Sequence, residues 1–331
     1  MTVRSSLAGL VASGDLDALI RAVDGLCSER NWDELLELAD RCEEAIENGK
    51  QLWPVSAHID YRIALEAPAD YAGRILHPDA GRFAHGPLTE VAASTHSWAE
   101  LAPHIDTPQL AAYVAQERVL RGEPISAGDE RAHLEVLELP PALLDWEPTY
   151  CLATYRADHV EVQEPWIPKA PLGPAVPRPG PELDDPDLTA ALVDLVTPWT
   201  AESNGAARAV IVEGDALAAV SAISHAELAI GRLTVSEAVQ LIAWAAASGG
   251  AYGRRRGAAL GRSLAWYLAS LVTGLAWPPD PAGLGVALDH LLFYRWDEGI
   301  AEEGWVIRIA IENPREGWAT ALAATDLLES A

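Results

Sequence analysis

The sequence predicts a mainly α-helical protein with a smaller α+β part towards its C-terminus. Three observations carry that expectation. Apolar residues recur at helical spacing through the first third of the chain. Prolines crowd the middle, between Pro165 and Pro181. From about residue 184, short β-branched runs alternate with helical patterns. The expected layout is a helical-hairpin domain over 1–147, a β-hairpin and proline-rich connector over 148–183, and an α+β domain over 184–331, in which a small sheet is covered by helices.

The first helix follows from Leu16, Leu19, Ile20, Val23, Leu26 and Cys27. The next follows from Leu35, Leu38, Ala39, Cys42, Ala45 and Ile46. Asn31 and Glu34 resemble a capping box at its start, and Asn48-Gly49 ends it. A third helix is expected over 53–66, with Pro68 as its stop. Short links between single-stripe helices suggest antiparallel hairpins. Between 68 and 144 prolines break the pattern, and the clearest helix there runs from Pro108 to Arg121.

Thr149 to Thr154 and His159 to Val162 read as a hairpin. Pro165, Pro168, Pro171, Pro174 and Pro177 then recur every third residue, the period of polyproline II. Such a segment is either a ligand for a proline-binding module or a stiff connector lying on the protein's own surface. Trp166, Ile167, Leu172 and Val176 need burial and favour the connector. Beyond it, strands are expected at Arg208–Val212, His225–Ile230 and Trp305–Ile311. Helices are expected after the Thr234/Glu237 capping pair, over Ala258–Thr273, over Ala282–Tyr294 and over Glu316–Leu328.

Charge narrows the function classes. The formal net charge is -26, and Lys50 and Lys169 are the only lysines among 23 basic residues. So acidic a chain repels phosphate backbones, which argues against nucleic acid as a partner. It also keeps the chain soluble. Cys27, Cys42 and Cys151 are odd in number and widely spaced, which suits a reducing cytoplasm. Residues 1–7 have neither a long apolar core nor a small-residue cleavage site, so no export signal is expected. No apolar run is long enough to span a bilayer, so no membrane is expected as a partner.

One segment stands against this acidic background. Residues 248–262 hold Arg254, Arg255, Arg256 and Arg262, with Gly249, Gly253, Gly257 and Gly261 at every fourth position. In one reading the chain breaks at Gly249-Gly250 and a helix begins near Gly253. Its free N–H groups and arginines would then cradle a phosphate or carboxylate. In the other the helix runs on, the glycines form a ridge for close helix packing, and the arginines pair with acids inside the fold. The segment is neither a Walker loop nor a dinucleotide fingerprint.

Other chemistry is thinner. Glu213 and Asp215 follow a predicted strand and could hold a divalent metal, although an aspartate there also suits a helix N-cap. His58, His77, His85, His96 and His104 lack the short spacings of a zinc site, and nothing in the sequence places them together. No GxSxG, HExxH or kinase-type set is present. The sequence therefore points first to an acidic, cytoplasmic, non-catalytic protein that binds other proteins, with a protein partner. The alternative is an enzyme or sensor for a phosphorylated or carboxylated small molecule, bound by Gly249, Gly253, Arg254, Arg255, Arg256, Gly257 and Arg262.

Overall fold

A computed structural model describes residues 3–78, 84–165, 173–176, 178–224, 228–298 and 303–328. The fold is mainly helical with an α+β part, as the periodicities require. The chain forms two compact units. The first comprises residues 1–137 and 153–161, and the second comprises 138–152 and 162–331. The stretch after the helical segment thus enters the second unit before the chain returns for the hairpin.

In the first unit the helices are α1 (Val3–Ser13), α2 (Leu16–Glu29), α3 (Trp32–Glu47), α4 (Trp53–Glu66), α5 (Ala69–Arg74), α6 (Leu88–Thr95), α7 (Trp98–Leu101) and α8 (Pro108–Leu120). Asp15 caps α2 by accepting the Ala18 N–H at 3.0 Å. The expected capping box at Asn31 is only partly formed. Its amide donates to the Glu34 carboxylate at 2.7 Å, but its side chain caps no backbone N–H. Helix α4 is the centre of this unit, since Val55 through Leu65 are almost all buried. It packs against α2, α3 and α6. Buried Arg62 is neutralised by Asp24 and by Glu66 at 2.6 Å. The predicted hairpin is present but shorter, as β1 (Ala153–Tyr155) and β2 (Val160–Val162).

In the second unit the strands are β3 (Gly173–Ala175), β4 (Ala206–Glu213), β5 (Leu228–Leu233), β6 (Leu292–Asp297), β7 (Gly304–Asn313) and β8 (Trp318–Leu327). They form one antiparallel sheet in the order β3-β5-β6-β7-β8-β4. The helices are α9 (Pro186–Asp194), α10 (Thr197–Ala201), α11 (Ala216–Ile223), α12 (Val235–Ala247), α13 (Ala258–Thr273) and α14 (Pro281–Leu288). Thr234 and Glu237 form the expected capping box at the start of α12. The α13 bounds match the sequence reading.

Two expected helices are corrected. Residues 282–294 divide into α14 and the strand β6. Residues 316–328 form no helix but the strand β8 between β4 and β7. Alanine-rich composition suggested a helix there. The turn decides otherwise. Asn313 Oδ1 accepts the N–H groups of Arg315 and Glu316, and Gly317 takes φ +74°, so the chain reverses tightly after β7. Ala319 and Ala321 then face α11, while Leu322 and Ala324 are buried as well. Small side chains on the first face let the helix approach closely.

The connector lies along its own sheet. Residues 173–175 pair with β5, and Leu183 N–H donates to Ile211 C=O at 2.8 Å beside β4. These are the two edges of the sheet. About seven residues span roughly 24 Å when extended, whereas six flat inter-strand spacings would need about 29 Å. The sheet must therefore curl, and α11 fills the concave face with Val210, Val212, Ala310 and Trp296 around it. Pro168, Pro171, Pro177, Trp166, Ile167 and Leu172 lie outside the described residues.

Candidate functional site

The glycine–arginine segment is a loop followed by a helix. Helix α12 ends at Ala247, and α13 begins at Ala258. The chain break is where the first reading puts it, but the new helix starts later than Gly253. The loop folds on itself. A Cβ on Gly249 would lie 2.3 Å from the Gly253 carbonyl oxygen, and one on Gly253 would lie 2.4 Å from the Gly249 oxygen. Only glycine fits at either place.

The loop's donors point at groups of the protein itself. Asp326, fully buried on β8, accepts the Ala251 N–H and the Ser203 hydroxyl. Glu202 accepts the Arg254 N–H at 3.1 Å. The Arg256 and Gly257 N–H groups return to Ala247 C=O, and the Arg256 guanidinium donates to Asp194 C=O at 2.7 Å. Gly250, at φ +75°, makes room for Asp326, whose Oδ2 would be 2.1 Å from a Cβ there. Two internal carboxylates thus occupy backbone donors of the loop that an external anion would need.

Arg262 faces inward. Its side chain and that of Glu147 are both at 0% exposure. Nη2 and Nε donate to the Glu147 carboxylate at 2.6 and 2.8 Å, and further donors reach the carbonyls of Pro140 and Ala142. The same carboxylate accepts the Tyr150 hydroxyl at 2.6 Å and the Trp266 indole N–H at 3.0 Å. Burial alone would raise the Glu147 carboxyl, but the Arg262 guanidinium outweighs it, and the group titrates below its ordinary range. Nearby, Gly261 does what the packing reading asked of a glycine ridge. Its Cβ would lie 2.4 Å from Ala243 C=O, so α12 and α13 touch backbone to backbone. The sequence could not show Glu147 or Asp326 as partners, because they are distant in the chain and no local pattern marks them.

Glu213 ends β4, and Asp215 caps α11 by accepting the Ala218 N–H at 2.9 Å. Its other oxygen pairs with Arg178. This is the N-cap alternative. Among the described residues no group of three or more His, Cys, Asp or Glu is arranged to hold a metal ion.

The histidines separate into two kinds. His96 bonds the carbonyls of Ala67 and Ala92, and His104 packs against Gly73, both in structural roles. His58 and His85, distant in sequence, come together around Tyr61. The rings of His58 and Tyr61 stack at 6.5 Å, and His85 meets the Tyr61 edge at 5.1 Å. With Ile20, Pro54, Ala84 and Asp158 they line a pocket of about 260 Å³. A second, open depression of about 640 Å³ lies between α1 and α3. Ala8, Val11, Ala12 and Ala45 line it, with Arg41, Glu44, Asn48 and Lys50 at its border.

A family model described as a family of unknown function, DUF6183, matches residues 17–327. The chain belongs to that family. The DUF6183 match takes in every element from α2 to β8, including the Gly/Arg loop and the His58 pocket, while α1 precedes it. No curated protein matches the chain, and no solved structure does. Among the described residues, no helix is long and apolar enough to cross a membrane.

Proposed function

We propose that this is a non-catalytic cytoplasmic interaction protein, and that the groove between α1 and α3 receives an amphipathic helix of a protein partner. The observation that carries this reading is the groove's make-up. Ala8, Ala12 and Ala45 are small residues on neighbouring helices, over which a third helix can approach closely. Buried Leu7 and Val11 anchor α1 to the unit, so the groove is a standing feature of the surface. Its border holds Arg41 and Lys50 against the single acid Glu44. On a chain of net charge -26 that is a locally basic rim, and it suits a helix with an acidic flank. Arg41 is steadied by Glu37 at 2.7 Å, and Lys50 donates to Val11 C=O at 2.9 Å, closing the end of α1.

The internal bonding of the Gly249–Arg262 segment supports the same order of preference. A phosphorylated or carboxylated ligand there would compete with Asp326 and Glu202 for backbone donors and would find Arg262 sealed. The test is site-specific photocrosslinking in the native host from a crosslinker placed at Ala45. One helical partner should be captured, and Ala12→Glu should abolish its capture while the circular dichroism of the chain stays unchanged. If the same proteins are recovered from wild type and from Ala12→Glu, the groove is not the docking site.

A further inference from the structure

We propose that the pocket formed by His58, Tyr61, His85 and Asp158 binds a small organic ammonium ion. The proposal is independent of the α1–α3 groove. It starts from an unsatisfied group. His58 Nε2 is buried and has no hydrogen-bond partner, although its ring lines the pocket. Buried polar atoms are nearly always bonded, and an orphan beside a cavity calls for a guest. A small rotation of the ring would carry a nitrogen to a group inside the pocket.

The surroundings select the charge of that guest. Burial, with help from Arg62, holds the His58 imidazole below its ordinary pKa. Near neutral pH it is uncharged and accepts an N–H rather than pairing with an anion. Arg62 offers nothing to an anion either, because Asp24 and Glu66 bind it. Asp158 supplies a carboxylate at the pocket, and the Tyr61 ring supplies a π face for a cation. The Tyr61 hydroxyl donates to Arg156 C=O, which ties the turn carrying Asp158 to the pocket floor. Burial keeps that hydroxyl protonated by raising its pKa. Ile20 and Pro54 give an apolar wall for the body of the guest. At about 30 Å³ per non-hydrogen atom, the pocket's 260 Å³ holds about eight or nine such atoms. The strongly negative chain enriches cations near its surface.

The experiment follows the imidazole resonances of the full-length chain by NMR during titration with n-butylammonium chloride. Sodium butyrate and sodium chloride serve as controls, and exposed His290 in the second unit serves as internal reference. The expected result is a saturable shift at His58 and His85 with butylammonium, none at His290, and none with butyrate. Asp158→Asn, a change at an exposed position, should weaken binding about tenfold, the weight of one charge-assisted hydrogen bond. His58→Gln should remove the His58 signal, which assigns it, and weaken binding further. An equal response to butyrate, a shift no larger than at His290, or an unchanged affinity in Asp158→Asn would each overturn the proposal.

Discussion

Truncating Glu147 to alanine is the sharpest perturbation of the second unit. Its carboxylate accepts two bonds from Arg262, one from Tyr150 and one from Trp266. Removing it strands four donors, and one of them belongs to a guanidinium with no exposure. Breaking a buried ion pair from one side costs about 3–5 kcal/mol, and the Tyr150 and Trp266 donors put this case in the upper half of that range. That is a large share of a domain stability of about 5–15 kcal/mol. The double variant Glu147→Leu/Arg262→Met removes both charges and leaves apolar volume, so it should recover most of the loss. The assay is urea denaturation followed by tryptophan fluorescence, because Trp266 and Trp146 lie 5.1 Å apart beside the pair. The pH dependence has a definite sign. Glu147 titrates low in the folded state, so its stabilisation is present above its unfolded pKa and lost as pH falls through the folded value. The wild-type advantage over Glu147→Ala should therefore shrink below about pH 4.3. A cost under about 1 kcal/mol for Glu147→Ala, or a double variant no more stable than the single one, would refute the reasoning.

Three further outcomes are expected. Gly261→Leu should destabilise the second unit by about 1–3 kcal/mol in the same urea assay, since its Cβ meets the Ala243 backbone on α12. Asp215→Ala should cost about 1 kcal/mol as a lost N-cap, equally in Mg²⁺ and in EDTA by calorimetry; Mg²⁺-dependent stabilisation abolished by Glu213→Ala would instead establish the metal reading. Cys27 and Cys42, pushed up to about 11 by burial, should react slowly with a disulfide reagent at pH 8, where about one thiol in 1,000 is ionised, and all three cysteines should react readily in urea.

Helices were the legible part of this protein. Leu19, Val23 and Leu26, or Leu35, Leu38 and Cys42, bury one face at a spacing that depends only on neighbours in the chain. The box at Thr234 and Glu237 is equally local. Strand β8 was not legible from composition, because alanine favours a helix unless neighbours impose pairing. A readable cue did exist in the turn at 313–317, where an Asx contact and a glycine at positive φ reverse the chain.

The site shows the same division. Sequence alone determined that a glycine–arginine segment interrupts two apolar helices of an acidic chain, and that histidines are frequent between 58 and 104. Only tertiary structure decided that Arg262 meets Glu147 across 115 positions, that Asp326 occupies loop amides, and that His58 and His85 share Tyr61. Periodicity and caps act over a few residues, so they are written in the local chain. Partners for buried charges are chosen by how helices and strands pack, and that choice depends on surfaces far apart in sequence.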